Sequence, residues 1–121
     1  MGTDKYSETF DKIQGEIPGF IAASLVDLET GMTLSTKSMR PDFDLSVASA
    51  FNAELVKQKL KTMKALNIKG ALEDILLTLS DQLHIIKFVT PKTFIYLAAD
   101  KANSNLAIVR AVVCKYAATM V

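Results

Sequence analysis

The sequence predicts a three-layer α/β/α domain around a five-stranded, mostly antiparallel sheet, with element order α-β-β-α-β-β-β-α. Three observations carry that expectation. The runs FIAASLV (20–26) and TFIYLAA (93–99) are apolar, or small, at both alternating parities, which is how strands covered on both faces read. Helically spaced apolar residues occur before, between and after the strand candidates, so a helix is available for each side of the sheet. Three strand candidates then follow one another across short turn segments, and that spacing means an antiparallel meander.

In order, Phe10, Ile13 and Ile17 recur at helical spacing with Tyr6 one turn earlier, Ser7 is placed to cap this first helix, and Pro18-Gly19 ends it. Phe20 to Val26 is a central strand. Asp27-Leu28-Glu29-Thr30-Gly31 supplies turn formers, with Gly31 able to take positive φ, and Met32 to Lys37 completes a hairpin in which Met32, Leu34 and Thr36 alternate. After a loop broken by Pro41, Asp44 or Ser46 caps a long helix that runs to Leu66 and stops near Asn67 and Gly70. Strands follow over Leu72–Leu79, Leu83–Val89 and Thr93–Ala99. The first of these carries Glu73 and Asp74, and charges in a strand mark an edge. Asn103, Ser104 and Asn105 offer caps for a last helix, Leu106 to Met120. Its large residues, Ile108, Val109, Val112, Val113, Tyr116 and Met120, fill one face, and Ala107, Ala111, Cys114 and Ala118 form a smooth strip.

The long central helix has more apolar surface than one neighbour needs. At about 100° per residue, Val47, Ala48, Phe51, Leu55 and Leu66 form one stripe, and Val56, Leu60 and Met63 form a second beside it. The second stripe is therefore assigned to a mate, for which a second copy of the helix is the nearest candidate. Glu54, Lys57, Lys61 and Lys64 share the remaining outward face.

The chain has 121 residues, the size of one domain, so residues 1–121 are read as a single unit. Half of them are hydrophobic and the net charge is +1, which fits neither a disordered chain nor a general nucleic-acid binder. The lone Cys114 forms no internal disulfide, no signal-peptide layout is visible, and LAIVRAVVCKYA is interrupted by Arg110 and Lys115 well short of a bilayer span. The expectation is a cytoplasmic protein without direct membrane insertion. Tyr6 stands where the Met1-Gly2 myristoylation pattern requires Ser or Thr.

Catalysis needs a nucleophile with its base, or paired acid and base groups, in one cleft. With one His and one Cys, His84 on a strand face and Cys114 in the small strip read as packing residues, so no catalytic residue is assigned and no enzyme is expected. No metal site is expected, because adjacent Glu73 and Asp74 point to opposite strand faces. No nucleotide or other cofactor is expected either, since neither GxGxxG nor GxxxxGK[ST] occurs. Arg40 and Arg110 are the only arginines in the chain. The lysine face lacks interleaved aromatics, which argues against nucleic acid.

Ile17-Pro18-Gly19-Phe20 leading into a strand, Val26-Asp27 with Thr30-Gly31, the long second helix, and Ile95-Tyr96-Leu97 followed by Asp100-Lys101, Asn105-Leu106 and Arg110 resemble the roadblock/dynein light chain family, over almost the whole chain. The likeness is to its single-domain bacterial and archaeal members of the gliding-motility GTPase-regulator type. The resemblance implies a roadblock, profilin-like fold and a homodimer. In it the second helices pair antiparallel through Val56, Leu60 and Met63, and the third strands join edge to edge at Asp74, Leu76 and Thr78. It further implies a non-enzymatic scaffold that binds and regulates a small Ras-like GTPase, with Lys57, Lys61 and Lys64 facing an acidic partner surface. The competing reading is a small-molecule sensor of profilin-like or PAS-like architecture, for which the sequence offers no convergent polar groups.

Overall fold

Two strands that are apolar on both faces must lie side by side in the middle of a sheet, and they do. In the computed structural model, which describes residues 5–121, β1 (Phe20–Asp27) pairs with β5 (Thr93–Asp100). β2 (Thr33–Ser38) flanks β1, while β4 (Gln82–Thr90) and then β3 (Asp74–Thr78) flank β5, giving the order β2-β1-β5-β4-β3 with every neighbouring pair antiparallel. Three helices complete the chain: α1 (Ser7–Glu16), α2 (Leu45–Ala65) and α3 (Leu106–Ala117), the last preceded by a 3-10 turn at Lys101–Asn103. The architecture and element order are those expected from the sequence. The Met1-Gly2 start weighed above lies outside the described residues.

The two parities of β5 build two separate cores. Ile95, Leu97 and Ala99 pack with Leu25, Ile85 and the helix residues Phe10, Ile13, Val109 and Val113, beneath α1 and α3. Phe94, Tyr96 and Ala98 pack with Ile21, Val26, Ile86 and the helix residues Leu45, Ala53 and Val56, beneath α2.

Boundaries differ from expectation where local signals compete. Helix α1 begins at Ser7 itself, with Tyr6 at the cap position in αR conformation and no side-chain cap bond, so Ser7 is not the cap. β3 is shorter than the apolar run 72–79, because an edge strand is hydrogen-bonded along one side only; Glu73 precedes it and Asp74 begins it. In β2, Leu34 and Thr36 are exposed and Ser35 is buried, since Ser35 lies opposite Leu25 on the α1–α3 face. Gly19 (φ +76) makes the tight entry into β1. A Cβ there would meet the Asp100 carbonyl at 3.1 Å, and the Gly19 carbonyl accepts from the Asp100 amide at 2.7 Å.

The cover of the sheet is unequal. On one face α1 lies over β2 and α3 over β4 and β5; on the other, α2 alone crosses β1 and β2. Five strands spaced about 4.8 Å apart span roughly 19 Å, whereas a helix with its side chains is about 10 Å across. The β4–β3 end of the α2 face is consequently left without a helix above it. Ile75, Leu77, His84 and Phe88 lie there, only half-buried.

Ile85 and Ile86 are neighbours in β4, each fully buried, one in each core. Ile85→Ala and Ile86→Ala should each cost about 2–5 kcal/mol in urea-induced unfolding. A negligible loss for either would mean that the layer over that face does not form.

Candidate protein-binding surface

Helix α2 is defined at both ends by backbone chemistry. The Asp44 carboxylate accepts from the Val47 amide at 3.1 Å and caps the start. At the end Asn67 takes the left-handed conformation (φ +58), with its amide donating to the Lys64 carbonyl at 3.0 Å and the Ile68 amide donating to the Met63 carbonyl at 2.9 Å. That pair of bonds is a Schellman termination. The rotation of the helix is set by its small residues. Ser49 is buried and its hydroxyl lies 3.2 Å from that of Ser24 in β1, while a Cβ on Gly31 (φ +75) would meet the Ala50 Cα at 3.5 Å. Close approach occurs where side chains are short, and Leu45, Ala53 and Val56 then fall onto the sheet.

This rotation exchanges the expected roles of the two apolar stripes. Val56 is 0% exposed and Leu60 packs against the same core, so the stripe assigned to a mate is largely spent inside its own chain. Met63 is half-buried beside Leu60. The other stripe points away: Val47, Leu55 and Leu66 are exposed and Phe51 is 72% exposed. A helical wheel fixes the angle between stripes but not which one meets the sheet. The available signal was the pair Ser49 and Ala53, flanked by Leu45 and Val56.

The lysine face is also modified. Lys57 is held down, its ammonium donating to the Glu29 carbonyl at 3.0 Å and lying 3.4 Å from Glu54. Lys61 and Lys64 are exposed, and neither is in an ion pair among the described residues.

β3 forms an open edge of the sheet. The Phe88 amide donates to the Glu73 carbonyl (3.1 Å) and the Leu79 amide to the Gln82 carbonyl (2.8 Å), so the odd-numbered positions face β4. Alternation along an antiparallel ladder turns the N–H and C=O groups of Asp74, Leu76 and Thr78 toward the open side. Their side chains share the α3 face, where the Asp74 carboxylate accepts from Arg110 Nε and Nη2, each at 3.0 Å. This pairing raises the Arg110 pKa and fixes the guanidinium against its own chain. Arg40 lies 3.6 Å from Asp42 in the loop before α2.

His84 sits on the uncovered end of the α2 face. Its Nε2 is 2.7 Å from the Gln82 amide oxygen, which only accepts, so Nε2 carries the hydrogen and Nδ1 accepts from the Tyr96 hydroxyl at 3.2 Å. Burial holds the His84 pKa down, with Asp81 opposing the shift, and pushes that of Tyr96 up to about 12. Cys114 is half-buried on α3, well apart in the fold. No cluster of metal-ligating side chains occurs among the described residues. A cavity of about 410 Å³ between Leu60 and Met63 of α2 and Leu72, Phe88 and Pro91 is almost wholly apolar. Its Thr90 hydroxyl is 2.8 Å from that of Thr93.

A sheet in this order, with two helices on one face and a single long helix on the other, is the roadblock fold. The chain is similar to the roadblock/LC7 domain from Streptomyces avermitilis, with TM-score 0.79, 14% identity, and 91% of this chain and 89% of that one covered. It is also similar to Myxococcus xanthus MglB, with TM-score 0.84, 13% identity, and 99% of this chain and 90% of that one covered. The gliding protein MglB from Thermus thermophilus gives TM-score 0.84 at 15% identity over the same shares of the two chains. No protein-family model and no curated protein matches the sequence.

Because the folded chain holds His84 below its ordinary value of 6.5, the unfolded chain takes up that proton first on acidification. The stabilisation linked to neutral His84 is thus complete above that value and is lost as pH falls from it through the lower folded-state pKa. His84→Gln should flatten the fall in unfolding free energy between about pH 8 and about pH 5. Identical pH profiles for the two proteins would show that His84 is not titrating from this enclosed state.

Proposed function

We propose that this chain is a non-enzymatic, homodimeric platform that binds and regulates a small Ras-like GTPase. The observation that carries the reading is the half-covered α2 face. One helix spans too little of an apolar sheet, and that helix turns Phe51 and Leu55 into solvent. A second α2, laid antiparallel beside the first, would place those residues against each other and cover the β4–β3 end of the face. The open edge at Asp74, Leu76 and Thr78 supports continuation of the sheet into the second copy. The fold it shares with MglB supports the regulatory role, and a solved MglB structure described as a tetrameric arrangement, similar at TM-score 0.85 and 16% identity, is an instance of higher assembly on this fold.

Lys61 and Lys64, with Lys57 anchored behind them, give the outer side of α2 a positive surface. Such a surface attracts an acidic partner and acts chiefly on the rate of encounter. The apolar stripe then serves assembly and the lysines serve recognition.

Two pairs of substitutions separate these roles. Phe51→Asp with Leu55→Asp should convert the dimer to a folded monomer, because two charges cannot be enclosed between apolar helices without partners. Lys57→Glu with Lys61→Glu should leave the dimer intact and abolish binding in a screen against purified Ras-like GTPases in their GDP and GTP-analogue states. GTPase binding that survives the lysine reversal would remove this surface from the proposal.

A further inference from the structure

The end of α2 combines two features that helix termination does not require, and one of them includes Ile68, which lies off the stripe proposed for assembly. The first is charge. From residue 57 to residue 69 the chain has five lysines, Lys57, Lys59, Lys61, Lys64 and Lys69, and no acidic residue, in a protein whose net charge is only +1. Lys57 is paired with Glu54, but none of the other four is in an ion pair among the described residues. A cation in the last turn suits the helix dipole, which accounts for Lys64 and leaves Lys59 and Lys61. At about 100° per residue Lys59 points well away from the face that Lys61 and Lys64 share, so the lysines surround the helix end rather than forming one stripe.

The second feature is apolar. Leu66 is 66% exposed and Ile68 is 48% exposed, on either side of the left-handed Asn67. The Schellman bonds hold this turn in a definite conformation, and a hydrophobic residue at the position of Ile68 ordinarily folds back over the helix end. Here half of it stays in water, next to Lys69, whose ammonium donates to the side-chain oxygen of Asn67, a neutral group, at 2.9 Å. Two aliphatic side chains ringed by lysines without acidic partners therefore occupy one fixed turn.

We infer that this turn docks on an anionic lipid bilayer. Lys59, Lys61, Lys64 and Lys69 would meet the headgroups, and Leu66 and Ile68 would enter the boundary with the acyl chains. Charge complementarity selects the anionic surface, and the aliphatic pair selects a bilayer over a soluble polyanion, which offers nothing apolar to receive it. Nucleic acid would need stacking side chains among the lysines, and there are none between residues 57 and 69. The contact is peripheral, in keeping with the absence of any helix among the described residues that is long and apolar enough to cross a membrane. Lys61 and Lys64 are shared with the surface proposed for the GTPase, while Lys59, Leu66, Ile68 and Lys69 are not, and vesicle binding is read without any GTPase present, so either reading can fail alone.

The test is co-sedimentation of the full chain with vesicles of phosphatidylcholine alone, and with vesicles that also contain phosphatidylserine. The protein should bind only the second, and high salt should release it. Lys64→Glu with Lys69→Glu should lower partitioning by at least about tenfold. Ile68→Ser, at an exposed position off the Phe51–Leu55 stripe, should weaken binding with the salt dependence and the oligomeric state unchanged. No binding to the phosphatidylserine vesicles would overturn the inference. So would binding that survives both variants, or competition in which soluble polyglutamate displaces the protein from vesicles while Ile68→Ser has no effect.

Discussion

A sheet that is apolar on both faces has to be covered on both, and every other feature of this chain follows from how that cover is supplied. β1 and β5 have no polar face to offer water, so neither side of the sheet can be left open. The α1–α3 side meets the requirement within one chain by placing two helices side by side. The opposite side has α2 alone. An unequal sandwich of this kind is stable where its own helix lies and unfinished beyond it, and the unfinished part is where Ile75, Leu77, His84 and Phe88 lie.

Helix α2 is suited to both halves of that situation. Ser49 and Ala53 let it approach the sheet closely, and Leu45, Val56 and Leu60 close the core around them. The side turned away is not a polar surface with scattered apolar residues but a continuous stripe of Val47, Phe51 and Leu55. Exposed aliphatics are ordinary in isolation, whereas a stripe beside a half-covered sheet has an evident use. The helix end adds a separate chemistry of lysines and aliphatics, so assembly and surface contact fall on different parts of one element.

Much of this was legible in the sequence because it depends on parity and spacing. The double-sided apolar runs placed β1 and β5 in the sheet, the short turns made β3, β4 and β5 a meander, and Glu73-Asp74 marked the edge. The excess apolar arc of α2 was also legible. Its orientation was not, because periodicity relates residues of one helix to each other and not to the sheet beneath; that phase is set by tertiary contacts such as Ser49 with Ser24 and Gly31 with Ala50. The lysine stripe likewise gave no sign that Lys57 reaches the Glu29 carbonyl, since the partner is a backbone group in a distant turn. The exposed pair at Leu66 and Ile68 depends on the positive φ of Asn67, a detail of helix termination that apolar spacing does not reveal.

Sedimentation equilibrium over a wide concentration range bears most directly on the shared α2 face. A species of twice the chain mass, persisting to low micromolar concentration, is expected if Phe51 and Leu55 are covered by a second copy. A chain that stays monomeric throughout would contradict that reading, and would mean that the stripe and the half-covered sheet belong to a different partner.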